Sequence, residues 1–583
     1  MAYNKDKNFK IGKYLLRYKR PVILGPLFKI LETAGDIITP FLMGLIIDVG
    51  VSSGNKNYII TYGIIILVIN LLSFAFTIIS QKCSSVAQTS ISKDIRSDVF
   101  AHINTLSHAE LDKFTTVTLV NRMANDVSQI SNAVGMTMRN MTRAPLLLIG
   151  SFIMALLINV KLSLVFVVAM PLIGFIVFFI MSKTSPLFVK TRSALDNVTN
   201  VARDNLDGVR VVRAFNKQSY EIERFEKANS NFTSINVKVS QIAAFMHPLI
   251  VVIINFGVIA ILGFGGMEVN AGDLTQGNLL AFINYMFSIS GSMAVIARLI
   301  INYTRTGASV KRIEEILSTK NTIESPKRIA KIDKENLGGY IEFNNVSFSY
   351  DNAKNVVNNL SIKINSGDTI GIIGGTGSGK SSIVNLIPRF YDADEGSVFV
   401  NGINVKRYDV KELRNLIGIV PQNPTLFEGT LRENMQWRKH DATDEEIIKA
   451  LKIAQAYDFV KELPDFLDHK VLRGGTNFSG GQKQRLTIAR AVVGNPKILI
   501  LDDSSSALDF ATDAQLRKTI RTTFKNSTVI LVSQRATTLM HSDKIIVLDN
   551  GYVSGIGTHE ELMQNCTVYK EIYYSQNKKQ EEE

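Results

Sequence analysis

The sequence predicts a polytopic α-helical membrane domain of six spans fused to an α/β P-loop domain. Three observations carry that prediction. Six long apolar runs crowd into the first 303 residues. After about residue 340 the composition becomes that of a soluble protein, with short apolar strands between polar helices. Within this second half the strand-like run Thr369–Ile373 leads straight into Gly374-Gly375-Thr376-Gly377-Ser378-Gly379-Lys380-Ser381.

At 583 residues the chain is too long for one domain and accommodates two large ones. We divide it into 1–303 as the membrane domain with long cytoplasmic loops, 304–340 as a linker, and 341–583 as the soluble domain. The 46% hydrophobic content averages two unlike halves. A net charge of +13 is compatible with nucleic acid, but much of the excess Lys and Arg lies beside the apolar runs, where membrane orientation accounts for it. No nucleic-acid partner is expected. Cys83 and Cys566 are far apart and belong to no CxxC or Cys/His cluster, so neither a disulfide framework nor a zinc site is expected. Lys5, Lys7, Lys10, Lys13, Arg17, Lys19 and Arg20 precede a long span with no small-residue cleavage site, so no cleavable signal is expected.

A membrane helix needs ~20 apolar residues. The six runs fall at 21–49, 58–80, 137–159, 162–183, 244–266 and 279–303. Connections after the first, third and fifth are short; those after the second and fourth are polar, helix-forming and tens of residues long. Basic residues mark the cytoplasmic side of a membrane protein. They are abundant in the N-terminal tail and in 184–243, whereas the short loops hold only Lys56 and Lys161. The N-terminus, both long connections and the C-terminal half are therefore placed in the cytoplasm.

The spans are not purely apolar. Glu32 and Asp36 are four apart and share a helical face. Asp48 lies near the outer end of the first span, Arg139 and Arg143 at the inner part of the third, and Arg298 in the sixth. Ionisable groups are costly in hydrocarbon and face protein or water. Two readings stand: a polar substrate path, with Glu32, Asp36 and Arg298 as candidates, or interhelical pairing and snorkelling toward lipid headgroups. Pro40, Pro145, Pro171 and Pro248 are candidate kinks, tolerable where neighbours satisfy the freed carbonyls.

In the second half, GxxxxGK[ST] between a strand and a helix is a phosphate-binding loop. Its glycines let successive N–H groups curl around phosphate oxygens, and the following helix presents its positive end. The cofactor-binding candidates run from Gly374 through Gly375, Thr376, Gly377, Ser378, Gly379, Lys380 and Ser381 to Ser382. Lys380 suits the β- and γ-phosphates, and the Ser381 hydroxyl suits Mg²⁺. The apolar strand Ile498–Asp502 ends in a carboxylate placed for the metal, so ATP with Mg²⁺ is expected. Gln422 closes another strand-like run, Ile417-Gly418-Ile419-Val420-Pro421-Gln422, as a ligand of metal or water or as an ordinary strand end. Ser479, Gly480, Gly481 and Gln482 open a helical run, as a second anion site or as a simple cap.

Read in order, these segments resemble the ATP-binding cassette of ABC transporters, and the whole chain resembles a bacterial exporter-type half-transporter. The P-loop, the glutamine loop at Gln422, the signature Ser479–Gln482, the Walker B strand 498–502 and the D-loop Ser506-Ala507-Leu508-Asp509 carry the resemblance over nearly the full length. It implies a head-to-tail cassette dimer, with each ATP held between one P-loop and the opposite signature. It implies that Tyr350 stacks on adenine and that turns around 107–125 and 204–216 act as coupling helices. A second half-transporter chain, membrane lipids and a hydrophobic or amphipathic small-molecule substrate are the implied partners, and the bacterial inner membrane is the implied location.

Two positions depart from that family. Asp503 stands where a water-polarising glutamate is usual, and Gln534 where a γ-phosphate-sensing histidine is usual. Asp is shorter by one methylene, about 1.5 Å, and a base displaced by ~1 Å loses ~100-fold in rate. Gln534 can donate an N–H but cannot shuttle a proton as imidazole does. The loop His469–Thr476 also lacks the acidic residue usual before Arg473. The signature, by contrast, is intact. The resemblance is thus to the degenerate-site subunit of a heterodimeric multidrug exporter, whose Ser479, Gly480, Gly481 and Gln482 complete the partner's site. The alternatives are a homodimeric exporter with Asp503 as base, a dedicated lipid exporter, and an ATP-regulated membrane protein that transports nothing.

Overall fold

The computed structural model describes residues 10–326, 338–350, 354–504 and 507–577. Lys5, Lys7, Ser506 and the middle of the linker lie outside the described residues. The chain forms two compact units, Met1–Asn104 with Thr116–Thr319 and Thr105–Thr115 with Lys320–Glu583.

Among the described residues the first unit holds six helices long and apolar enough to cross a membrane: Lys19–Val51, Lys56–Ile103, Thr116–Ile158, Val160–Asp207, Gln218–Asn270 and Gln276–Ser318. Helices satisfy every backbone group internally, as hydrocarbon demands. Most are far longer than a bilayer requires. The 48-residue helix Lys56–Ile103 reaches about 70 Å at the standard rise, against a hydrocarbon core of about 30 Å. Its sequence changes with depth. The outer part exposes Ile60, Ile64, Leu67, Leu71 and Phe74, whereas the inner part buries Ser84, Ala87, Ile91, Ile95 and Val99 at helical spacing. The sixth helix continues through the charged stretch after residue 303 and ends only at Ser318.

Polar ties fix the helices against each other. Asp48 accepts bonds from the Thr275 hydroxyl at 2.5 Å and the Gly277 N–H at 2.6 Å, so the first span caps the start of the sixth helix. A Cβ on Gly277 would lie 2.0 Å from the Gly44 carbonyl oxygen, so only glycine permits this approach. Nearer the cytoplasm Asp126 pairs with Arg312 and accepts the Ser309 hydroxyl at 2.9 Å.

The second unit is built from two larger sheets. We number its strands β1 (Ile341–Phe348), β2 (Val357–Ile364), β3 (Thr369–Gly374), β4 (Glu395–Val400), β5 (Ile403–Asn404), β6 (Ile417–Val420), β7 (Gly429–Thr430), β8 (Lys470–Val471), β9 (Ile498–Asp502), β10 (Thr528–Val532), β11 (Lys544–Asp549) and β12 (Tyr552–Gly557). The antiparallel sheet runs β2-β1-β4-β5, and the six-stranded sheet β12-β11-β3-β10-β9-β6. In the latter β11, β3, β10, β9 and β6 are parallel and β12 is an antiparallel edge. Buried on both faces, β9 is fully apolar until Asp502, as parallel strands usually are. Ligands in such sheets bind beyond the carboxyl ends of the strands, and it is there that the sequence motifs gather.

An eleven-residue piece from the connection after the second span, Thr105–Thr115, belongs to this second unit. Its helix, His108–Phe114, begins with a capping box of Ser107 and Glu110. The His108 ring stacks on Phe390 with centroids 4.3 Å apart, and the Tyr391 hydroxyl donates to Asp112 at 2.6 Å.

Candidate nucleotide site

Three neighbouring parallel strands assemble the site. Val532 of β10 lies beside Ile372 of β3 on one side and Asp502 of β9 on the other. The chain therefore leaves β3 as the P-loop, β9 as Asp502-Asp503, and β10 as Ser533-Gln534, all at one edge. Between them is a cleft of about 290 Å³ whose walls include Tyr350, Thr376, Lys380, Ser381, Gln422, Asp502, Asp503 and Gln534. A second cleft of about 270 Å³, walled by Phe390, Arg414, Trp437 and Arg490, contains none of the phosphate-binding motifs.

The P-loop needs glycine at defined places. Gly377 and Gly379 have φ of 83° and 95°, in the left-handed region that side-chain-bearing residues avoid. A Cβ on Gly379 would also lie 2.6 Å from the Val356 carbonyl oxygen. Lys380 opens the following helix, Lys380–Leu386, and donates to the carbonyls of Gly374 and Gly375 at 2.8 and 2.6 Å. Burial holds its pKa below the usual lysine value, while the charges of Asp503 and Asp502 pull the other way. The buried hydroxyl oxygen of Ser378 has no hydrogen-bond partner among the described residues. Ser382 is bonded to the Tyr350 hydroxyl at 3.1 Å. The Tyr350 ring meets Tyr391 edge-on at 5.3 Å, which fixes it at the rim of the cleft.

Asp502 is buried, and one of its oxygens, Oδ1, lacks any hydrogen-bond partner among the described residues. Burial raises its pKa above the usual carboxylate value, opposed by a hydrogen bond with Ser381 and by the Lys380 charge. An orphaned buried carboxylate oxygen beside a serine hydroxyl suits a hard cation with oxygen ligands such as Mg²⁺. Gln422, exposed just after β6, faces the same cleft.

Asp503 sits one position beyond. It adopts φ of 46° and donates its N–H to the Val532 carbonyl at 2.9 Å. Gln534 is exposed, and its backbone carbonyl accepts from the Gln576 side chain at 2.7 Å. The other end of that amide accepts the Ala536 N–H at 2.9 Å. Gln576 escaped sequence reasoning because it lies on the C-terminal helix Thr567–Asn577, some forty residues from the loop it grips. No local signal points to it.

The signature residues do not line this cleft. Ser479 is the N-cap of the helix Gly480–Val492, in a reciprocal capping box with Gln482. Its hydroxyl accepts the Gln482 N–H at 3.3 Å, and the Gln482 side chain accepts the Ser479 N–H at 2.9 Å. Gly480 has open space where a side chain would project. In the D-loop, the Ala507 carbonyl would meet a Cβ on Gly481 at 3.1 Å.

In the membrane unit the three substrate-path candidates fare differently. Glu32 is buried and bonded through both oxygens to Lys29 at 2.7 Å. Asp36 pairs with Arg143 at 2.9 Å, and Arg143 also approaches Glu32 at 3.9 Å. Lys29 went unremarked at the sequence level, although its i,i+3 spacing from Glu32 was visible. Arg298 is exposed and, among the described residues, has no ion-pair partner.

Comparison with known proteins agrees with both halves. The profile of the ABC transporter transmembrane region matches residues 22–293, and that of the ABC transporter matches 357–506. The chain is 35% identical to the ABC transporter ATP-binding protein YfiB of Bacillus subtilis, over 94% of each chain. It is 31% identical to the putative multidrug export ATP-binding/permease protein YgaD of the same organism, over 97% of this chain and 98% of that one. It is 30% identical to the ATP-dependent lipid A-core flippase of Desulfotalea psychrophila, over 98% and 100%. In structure it superposes on a bacterial Atm1-family ABC exporter with ATP bound with a TM-score of 0.81 at 23% identity, covering 96% of this chain and 99% of the other. The chain belongs to the ABC transporters, as a multi-pass half-transporter of exporter fold that carries its ATP-binding cassette on the same polypeptide.

Proposed function

We propose that this chain is one half of a heterodimeric exporter in the bacterial inner membrane that moves amphipathic drugs or lipids out of the cytoplasm or inner leaflet. Its own ATP site is slow, and its signature completes the partner's competent site. The observation that carries this reading is the pairing of Asp503 and Gln534 at the edge of an otherwise complete cleft. Asp503 is fixed by its backbone bond to Val532 and is one methylene shorter than the usual base. Gln534 offers a neutral N–H where a proton-shuttling ring is usual. The names of the multidrug and lipid A-core relatives support the substrate class.

The residues divide the work. P-loop amides and Lys380 hold the triphosphate, while Ser381, Asp502 and Gln422 hold Mg²⁺, which neutralises phosphate charge when bound. Tyr350 supports the base. The open face of Gly480 leaves room for a phosphate of the partner's nucleotide, and Ser479 exchanges its capping bond for that anion. One observation favours the homodimer instead: Asp503 is still a carboxylate and still lines the cleft.

The test is ATP turnover by this chain purified alone, beside a nucleotide-binding assay that shows the cassette is folded. Binding with negligible turnover is expected. With the partner present, Ser479→Ala should suppress the turnover of the complex. Brisk turnover by the chain alone would establish the homodimer and remove the heterodimer reading.

A further inference from the structure

The chain passes between its two units three times, after Asn104, after Thr115 and after Thr319. These are the covalent routes by which movement of the nucleotide-binding unit reaches the spans. Inside the membrane unit their flanks are fastened to one another. Just before the first crossing, a His102 ring nitrogen lies 3.0 Å from the carbonyl oxygen of Thr319, at the third. Beyond the second crossing, Arg122 donates to the Glu315 carboxylate at 2.7 Å and to the Arg312 carbonyl at 3.0 Å. Within the nucleotide-binding unit the Ser107 and Thr322 hydroxyls are 3.3 Å apart, so the first and third crossings are tied there too.

Asp126 is the centre of this joint. It is only 6% exposed. One carboxylate oxygen accepts from Arg312 Nε at 2.8 Å; the other accepts from Arg312 Nη2 and from the Ser309 hydroxyl at 2.9 Å. Such a two-pronged pair fixes geometry as well as charge. Asp126 closes a π-helical turn, Arg122–Asp126, a widening often found at functional sites. From the second-span helix, Arg96 donates to the Met123 carbonyl of that turn at 3.4 Å and to the Ser128 hydroxyl at 3.0 Å. Both limbs of the first cytoplasmic connection and the end of the sixth helix therefore meet at one carboxylate.

Arg312 sits on a long rod. Its helix is unbroken for 43 residues, from Gln276 to Ser318, about 65 Å at the standard rise. The outer end of that helix is the one capped by Asp48 of the first span. A displacement entering at Ser318 is thus carried by one rigid element to the far end of the spans. The second crossing also stores strain. Thr115 has φ of 49° and ψ of 144°, a conformation that β-branched residues avoid, and such strain persists only where the surrounding contacts hold it.

We infer that Asp126 and Arg312 are positioning residues for energy coupling: their ion pair joins the first cytoplasmic connection to the sixth helix as one lever, and ATP-driven movement reaches the outer ends of the spans through it. The inference rests on the exporter fold and holds for a heterodimer and a homodimer alike. Neither residue touches nucleotide, so breaking the pair separates ATP turnover from the movement it drives. A buried carboxylate stripped of its arginine is left uncompensated, so the lever fails at this point before its helices come apart.

The test uses the full-length chain in nanodiscs, purified with the half-transporter it associates with, that partner freed of cysteine. Nitroxides are placed through Ser53→Cys and Ala271→Cys, two exposed positions near the Asp48 cap, in a Cys83→Ala, Cys566→Ala background. Electron–electron resonance then reads their separation with and without ATP, Mg²⁺ and vanadate. A shift is expected with the pair intact. Asp126→Asn and Arg312→Gln should each lower the ratio of shifted to resting molecules by about tenfold, the scale of one lost charged hydrogen bond, while ATP turnover persists. Arg312→Lys keeps the charge but not the fork and should recover part of the shift. Arg17→Gln, which breaks the peripheral pair with Asp94, should change nothing. An undiminished shift in both Asp126→Asn and Arg312→Gln would overturn the proposal. So would parallel loss of shift, turnover and thermal stability with no recovery in Arg312→Lys, which would make the pair a fold contact alone. Absence of any shift with the pair intact would overturn it as well, since nothing would be transmitted.

Discussion

Replacing Asp503 with glutamate tests the slow turnover proposed for this chain's own ATP site, by asking whether one methylene limits it. The backbone at Asp503 is held by its N–H bond to Val532 at 2.9 Å and by a φ of 46°. The carboxylate therefore cannot advance by a main-chain shift, and reach depends on side-chain length. Glutamate adds about 1.5 Å. If reach is the main deficit, the gain approaches ~100-fold, or about 2.7 kcal/mol of barrier. Gln534 still cannot move a proton, so a gain between about tenfold and that ceiling is expected. There is an opposing cost. Left-handed backbone costs side-chain-bearing residues about 1–2 kcal/mol, and aspartate escapes part of it through short local hydrogen bonds. Asp503→Glu should thus lower cassette stability by about 1 kcal/mol while raising turnover. The assay is ATP hydrolysis in nanodiscs with the partner's own P-loop lysine removed, so that only this chain's site contributes. Unchanged or reduced turnover with ATP binding intact would refute the role given to side-chain reach. Loss of all turnover in Asp503→Ala within the intact complex would show that Asp503 is a working base and that the site is not degenerate.

Two other expectations follow from particular contacts. Burial lifts the pKa of Asp502, so the empty site keeps a proton to higher pH than an ordinary carboxylate would. A metal must displace that proton, and the Mg²⁺ enhancement of ATP affinity should fall as pH drops through the raised pKa; titration calorimetry with and without Mg²⁺ checks this, and a pH-independent enhancement would remove Asp502 from the metal site. Gln576→Ala deletes both side-chain bonds that clamp Gln534 and Ala536. At about 1 kcal/mol each, their loss should speed hydrogen exchange at 534–536 by roughly tenfold or more with little effect on nucleotide affinity; unchanged exchange would mean that the clamp does not hold the loop.

Six apolar runs, a strand entering a glycine-rich loop, and a buried strand ending in Asp502 are local signals, readable because helical and strand periods and glycine's freedom act over a few residues. That is why the spans, the P-loop and a carboxylate at the end of β9 were legible in the sequence, and why Asp503 and Gln534 stood out. Tertiary structure decided what depends on distant partners. The family resemblance marked a coupling turn around 107–125, but no local pattern near His108 gives its partners in the nucleotide-binding unit, Phe390 and Tyr391. The cap that Asp48 gives the sixth helix and the clamp of Gln576 also join residues far apart along the chain. The charged residues of the spans show the division most plainly. The sequence placed Glu32, Asp36, Arg139, Arg143 and Arg298 in the membrane, but only packing determined which charges are cancelled. A charge in hydrocarbon takes its meaning from its nearest opposite charge, and helix packing, not periodicity, supplies that neighbour.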